Sequence, residues 1–128
     1  MTEAIVYGLD NCDTCRKARN WLDRRGAAYR FIDYRAERIA PETLRVFAKQ
    51  LGGFDAMINR SSRTWRELPE SRRAPGSDAE WTLLLREHPA LIRRPVVVLP
   101  DGSVTLGFSD ALFARQFPAR PALPARPA

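Results

Sequence analysis

The sequence predicts an α/β fold with a mixed sheet, in the order β-α-β, a helical insertion, then β-β-α, as one domain over residues 1–117. Three observations predict it. A β-branched run and an alternating run flank a helical pattern within the first 34 residues. The stretch from about residue 40 to 89 is helical in pattern. An apolar strand, a hairpin signal and a capped helix then follow, ahead of a proline-rich end.

Each element has a local cause. Glu3–Gly8 has a β-branched centre, Ile5-Val6, and Gly8 stops it. Asp10 or Asn11 is the expected N-cap of a helix running to about Arg25, with Ala18, Trp21 and Leu22 as its apolar stripe and Gly26 as its stop. Ala28–Tyr34 alternates as a second strand. Pro41 suits the first turn of a helix through Leu51, with Leu44, Phe47, Ala48 and Leu51 at helical spacing and Gly52-Gly53 at its end. The apolar stretch Phe54–Ile58 leads into the polar loop Asn59–Arg63, and Thr64–Leu68 forms a short helix. Ser77 or Asp78 caps a helix through about Glu87, with Trp81, Leu84 and Leu85 inward; Pro89 ends it. Val96–Leu99 is a buried strand, Asp101-Gly102 a hairpin turn and Ser103–Leu106 its partner. Ser109 caps a last helix with Ala111, Leu112 and Phe113, ending near Phe117. Residues 118–128 form a flexible polyproline-like tail. A thioredoxin-like domain has this order, although its single crossover helix is shorter than the insertion here.

Bulk properties narrow the function classes. The chain has 128 residues and a net charge of +6. Its arginines are spread along the length and mixed with Asp and Glu, and no nucleic-acid motif accompanies them, so direct nucleic-acid binding is not expected. No signal pattern and no apolar run of membrane-spanning length is present, which predicts a soluble, cytoplasmic protein without a membrane partner. Two cysteines and one distant histidine, His88, cannot supply the four ligands of a structural zinc site. No bound cofactor is expected.

The chemistry-bearing feature is the pair Cys12 and Cys15, the only cysteines of the chain. They directly follow the first strand and open the first helix, the strand–turn–helix context in which C-x-x-C is a redox motif. A helix N-terminus offers free N–H groups and a positive dipole end, both of which favour a thiolate. The thiolate is the attacking species in disulfide chemistry, so Cys12 is the expected nucleophile. Cys15 lies one turn on, on the same face. It acts as a resolving thiol that closes a disulfide, or it fills space under the first turn. The helix terminus contributes under ~1 kcal/mol at an exposed site, so a cationic neighbour must add to it. Asp13 opposes the thiolate if its carboxylate points at Cys12. Asn11 can hold the loop through its short amide side chain. Tyr7 and Trp65 are expected in the core.

Four motifs in order carry a resemblance: Tyr7–Ala18 with its Asn11-Cys12-Asp13-Thr14-Cys15 centre; Ile58-Asn59-Arg60 ahead of Thr64–Leu68; Leu91–Val98 with Arg93-Arg94-Pro95; and Gly107-Phe108-Ser109. Over residues 4–117 the chain resembles the glutaredoxin-type arsenate reductase (ArsC) family, which includes the Spx regulators and uncharacterised reductase relatives. The resemblance implies a cis Pro95 facing Cys12, with the Arg94 main chain free to pair with a peptide-like substrate such as glutathione. It implies that Arg94 stabilises the Cys12 thiolate or binds a carboxylate or oxyanion. It also implies a second active-site arginine at Arg60, with Arg63 and Arg66 as nearby alternatives. Arsenate reductases carry a further arginine after the last hairpin strand, where this chain has Leu106-Gly107-Phe108. A tetrahedral dianion needs several converging donors, and the loss of a charged one could cost ~1–3 kcal/mol.

The expected function is therefore a glutathione-linked thiol–disulfide reductase, with glutathione as co-substrate and Cys12, Cys15, Arg94 and Arg60 in the site. The alternatives are an Spx-like redox switch that binds the α-subunit of RNA polymerase, and arsenate reduction, which Gly107 disfavours.

Overall fold

The computed structural model describes residues 3–118; the expected tail beyond Pro118 lies outside the described residues. Four strands, β1 (Ala4–Gly8), β2 (Tyr29–Asp33), β3 (Val96–Val98) and β4 (Val104–Leu106), form one sheet in the order β2-β1-β3-β4. β1 and β2 are parallel, with Val6 opposite Phe31, and the β1–β3 and β3–β4 pairs are antiparallel. The sheet is thus mixed, as expected. The helices are α1 (Asp13–Arg25), α2 (Pro41–Leu51), α3 (Arg63–Glu67), α4 (Asp78–Glu87) and α5 (Asp110–Gln116), with single 3₁₀ turns at Phe54–Met57, Glu70–Arg72 and Pro89–Leu91.

Alternation along the strands sends side chains to two separate cores. Val6 and Val97 join Ala18 and Leu22 of α1 and Phe113 of α5 on one face. Val96 and Val104 join the insertion on the other, with Leu44 and Phe47 of α2, Trp65 of α3 and Leu84 and Leu85 of α4. Tyr7 packs edge-on against Phe47 with ring centroids 5.2 Å apart, and Trp65 is buried. Trp81 is half-buried and stacks on Phe54. The long insertion therefore supplies a whole layer. Among the described residues no helix is long and apolar enough to cross a membrane.

One expectation is corrected. The N-cap of α1 is Cys12, not Asp10 or Asn11. Asp10 is already used: its N–H donates to Asp33 and its carboxylate pairs with Arg19. The Cys12 carbonyl instead accepts the first helical bond, from the Arg16 N–H at 2.9 Å. In α5, Phe113 is buried against the sheet and Ala111 is exposed.

Candidate active site

The first element of the site is the turn from β1 into α1. The Cys12 N–H donates to the Leu9 carbonyl at 3.2 Å, and the Asp33 carboxylate at the end of β2 accepts from Asp10, Arg35 and Ala36 N–H groups. That carboxylate, not the Asn11 side chain, ties the turn to the sheet. Asn11 is exposed beside Cys12 and makes no side-chain hydrogen bond among the described residues. Cys12 is half-buried at the N-terminus of α1, and Cys15 is 1% exposed beneath it; both are free thiols.

β1 ends at a glycine for a steric reason. A Cβ placed on Gly8 would sit 2.5 Å from the Cys15 sulfur and 3.1 Å from the Phe31 ring. The buried thiol therefore packs directly on the strand backbone.

The second element enters from the sheet's other half. The Arg94–Pro95 peptide is cis, immediately before β3, and Pro95 is buried. Ile58 and Ile92 form an isolated antiparallel bridge, and the Arg93 N–H donates to the Met57 carbonyl at 2.7 Å. This seats the segment 91–95 against the insertion. Arg94 is half-buried and donates through one nitrogen, Nη1, to the Ala90 carbonyl at 3.1 Å, the Ile92 carbonyl at 3.3 Å and the Tyr34 hydroxyl at 3.5 Å. Its Nε is buried with no partner.

The two sulfurs are driven in opposite directions. Burial pushes the Cys12 thiol up. The Cys15 backbone N–H, the Arg94 guanidinium and the Cys15 thiol favour the thiolate and outweigh burial, so its pKa falls below the ordinary 9.0. As a neutral thiol it makes no capping hydrogen bond, so these partners act on the ionised form. For Cys15, burial dominates, the Leu9 amide opposes it and Cys12 adds to it; the pKa is pushed up to about 11. The outer cysteine is thus the more acidic of the two, and the inner one is held as a thiol. Asp13 does not spoil this, because its carboxylate pairs with Arg16 at 3.4 Å and Lys17 at 3.3 Å.

Cys12, Cys15 and Arg94 come together, with the cis Pro95 next to Arg94 in the chain. Arg60 is not among the groups acting on the Cys12 sulfur. It pairs with Asp55 at 2.8 Å and lies over the Trp65 ring, while Arg63 pairs with Glu67. Sequence reasoning missed Gly8, Asp33 and Tyr34. An acidic residue followed by a tyrosine at the end of a strand gives little local signal, since the partners of both are distant in sequence.

Gly107 adjoins the site through its backbone. Its N–H donates to the Pro95 carbonyl at 2.8 Å, and its φ of 83° is one that a side chain rarely adopts. No cationic side chain reaches the site from this position.

Residues 7–115 match the ArsC family. A solved structure of a protein called YFFB is 36% identical, with a TM-score of 0.80 over 89% of this chain and 98% of that one. An arsenate reductase (ArsC) related protein from Brucella melitensis is also 36% identical, with a TM-score of 0.69 over 91% of this chain and 95% of that one. The global transcriptional regulator Spx of Listeria monocytogenes is 23% identical over 116 residues, 90% of this chain and 87% of Spx.

Proposed function

The chain belongs to the ArsC family, and from that premise we propose that it is a glutathione-dependent thiol–disulfide reductase with Cys12 as its nucleophile. One observation carries the reading: Cys12 is held below its ordinary pKa beside Arg94, at a helix N-terminus, while Cys15 is held above it. A half-buried thiolate at a helix start is the arrangement that thiol–disulfide exchange requires.

The reaction balances with glutathione alone. The Cys12 thiolate attacks the glutathione sulfur of a mixed disulfide. The bond from Cys12 to glutathione forms, the original sulfur–sulfur bond breaks, and the substrate thiolate leaves and takes a proton. A second glutathione thiolate then attacks the Cys12–glutathione disulfide, releasing oxidised glutathione and restoring Cys12. Arg94 stabilises each thiolate at this position, its main chain and Pro95 line the peptide of glutathione, and Asn11 flanks it. Arg60 reaches a glutathione carboxylate only after leaving Asp55, which an exposed pair permits at little energetic expense. Cys15 is a slow alternative resolver, because burial disfavours its thiolate and its thiol must lose a proton before it attacks. A glutathione-supplying cytoplasm suits this chemistry.

The test is glutathione-coupled reduction of a small mixed disulfide. Turnover is expected in the wild type, lost in Cys12→Ser, and retained at a reduced or equal rate in Cys15→Ser. Equal turnover in Cys12→Ser and wild type would sink the assignment.

A second reading is favoured by the Cys12–Cys15 pair itself, together with the likeness to a regulator named Spx. In it the two thiols form a disulfide on oxidation and switch binding to the α-subunit of RNA polymerase. Absence of turnover in a folded protein that still forms this disulfide, with redox-dependent capture of the polymerase α-subunit, would select it. Arsenate reduction is disfavoured by Gly107, which offers a backbone and no charge.

A further inference from the structure

Tyr34 is one of the largest fully buried side chains of the protein, 1% exposed, and its ring belongs to the core between β2 and the insertion. The hydroxyl at its end is what packing alone does not require. It donates to the Ile92 carbonyl at 3.1 Å and accepts from Arg94 Nη1 at 3.5 Å. Arg94 Nη1 also donates to that same Ile92 carbonyl, so phenol, carbonyl and guanidinium close a three-membered ring of contacts. A buried hydroxyl without partners is costly, and here each of its roles is met within the site.

We propose that Tyr34 is a positioning residue for Arg94, and through Arg94 for the Cys12 thiolate. This rests on the reading of Cys12 as the nucleophile. The phenol fixes one corner of the guanidinium against the Ala90–Ile92 backbone. The buried Nε has no hydrogen-bond partner among the described residues, and the guanidinium held in this way bears on the Cys12 sulfur. Burial raises the Tyr34 pKa, with Arg94 opposing, so the hydroxyl stays a neutral O–H at neutral pH and donates throughout the working range. The same strand end does two jobs. Asp33 fixes the turn before Cys12, and Tyr34, whose N–H donates to the Gly8 carbonyl at 3.1 Å, fixes the cation beside it.

The other charges around Cys12 are accounted for. Asp13 pairs with Arg16 and Lys17, Asp10 pairs with Arg19, and Arg93 donates to the Ala56 carbonyl. The Cys15 thiol remains and is the same in every variant below.

The experiment follows alkylation of Cys12 by iodoacetamide against pH, with the modified residue identified by mass spectrometry. It uses wild type, Tyr34→Phe, Arg94→Ala and the double variant, with thermal melts to verify folding. Tyr34→Phe keeps the ring and removes only the hydroxyl. The expected result is a higher midpoint in Tyr34→Phe, with about threefold less thiolate below the midpoint, and a larger rise in Arg94→Ala. In the Arg94→Ala background, Tyr34→Phe should add nothing. An unchanged midpoint in folded Tyr34→Phe would overturn the proposal, as would the same added shift with and without Arg94. A wild-type midpoint at the ordinary value of about 9 would overturn the thiolate reading itself, and that outcome is distinct from the other two.

Discussion

Gly8→Ala tests how closely the sheet carries the buried thiol. The added methyl would lie 2.5 Å from the Cys15 sulfur, 3.1 Å from Phe31 Cε1 and 3.4 Å from the Cys15 Cβ. Ordinary carbon–sulfur contact is about 1 Å longer than the first of these. Relief requires movement of the α1 N-terminus or of the Phe31 ring, because a sulfur that is 1% exposed has no open side to move into. Overpacking of this kind costs about 1–3 kcal/mol. In a domain of this size that lowers the melting temperature by roughly 4–12 °C. Thermal denaturation under reducing conditions measures it. The informative comparison is a double-mutant cycle: in a Cys15→Ala background the 2.5 Å contact is gone, and Gly8→Ala should cost at least about 0.5 kcal/mol less. Strict additivity of the two substitutions, or a Gly8→Ala variant as stable as wild type, would refute the packing argument.

Alkaline pH probes the same sulfur. The folded state holds the Cys15 proton to about pH 11 against an ordinary 9.0, so its contribution to stability is full below pH 9 and is lost as pH rises toward about 11. Cys12, with its pKa lowered, contributes in the opposite sense, and its contribution fades as pH falls through its folded-state pKa. Reduced wild type should therefore lose more stability than Cys15→Ala between pH 9 and 11, as followed by circular dichroism melts; parallel curves would count against the burial of Cys15 as the cause. Ser109→Ala tests α5 apart from the chemistry. The Ser109 side chain accepts from the Leu112 N–H at 3.0 Å, and its loss should cost about 1 kcal/mol and about 4 °C in melting temperature while leaving glutathione-coupled turnover intact.

The sequence by itself determined the elements and where the two thiols sit. Pro41 at a helix start, Gly26 and Gly52 in left-handed conformation at helix ends, and Ser77 and Ser109 as caps all act within one turn of the chain, so neighbouring residues suffice to find them. The position of Cys12 between a strand and a helix is equally local. Where local signals competed, the outcome was less legible. Asp10 and Asn11 were the better capping residues, yet Cys12 took the cap because Asp10 was drawn to Asp33, 23 residues away. The residue pattern left open which charge meets the sulfur; the resemblance implied Arg94, and only the tertiary structure shows what holds it beside Cys12. Arg60, Arg63 and Arg66 look equally available in the sequence, but Arg60 and Arg63 are held by Asp55 and Glu67, whereas Arg94 is fixed by a phenol 60 residues earlier in the chain. The physical reason is that a guanidinium is placed by the carbonyls and hydroxyls that converge on it. Those converge only when β2, β1 and β3 lie side by side and carry Tyr34, Cys12 and Arg94 to the same end of the sheet.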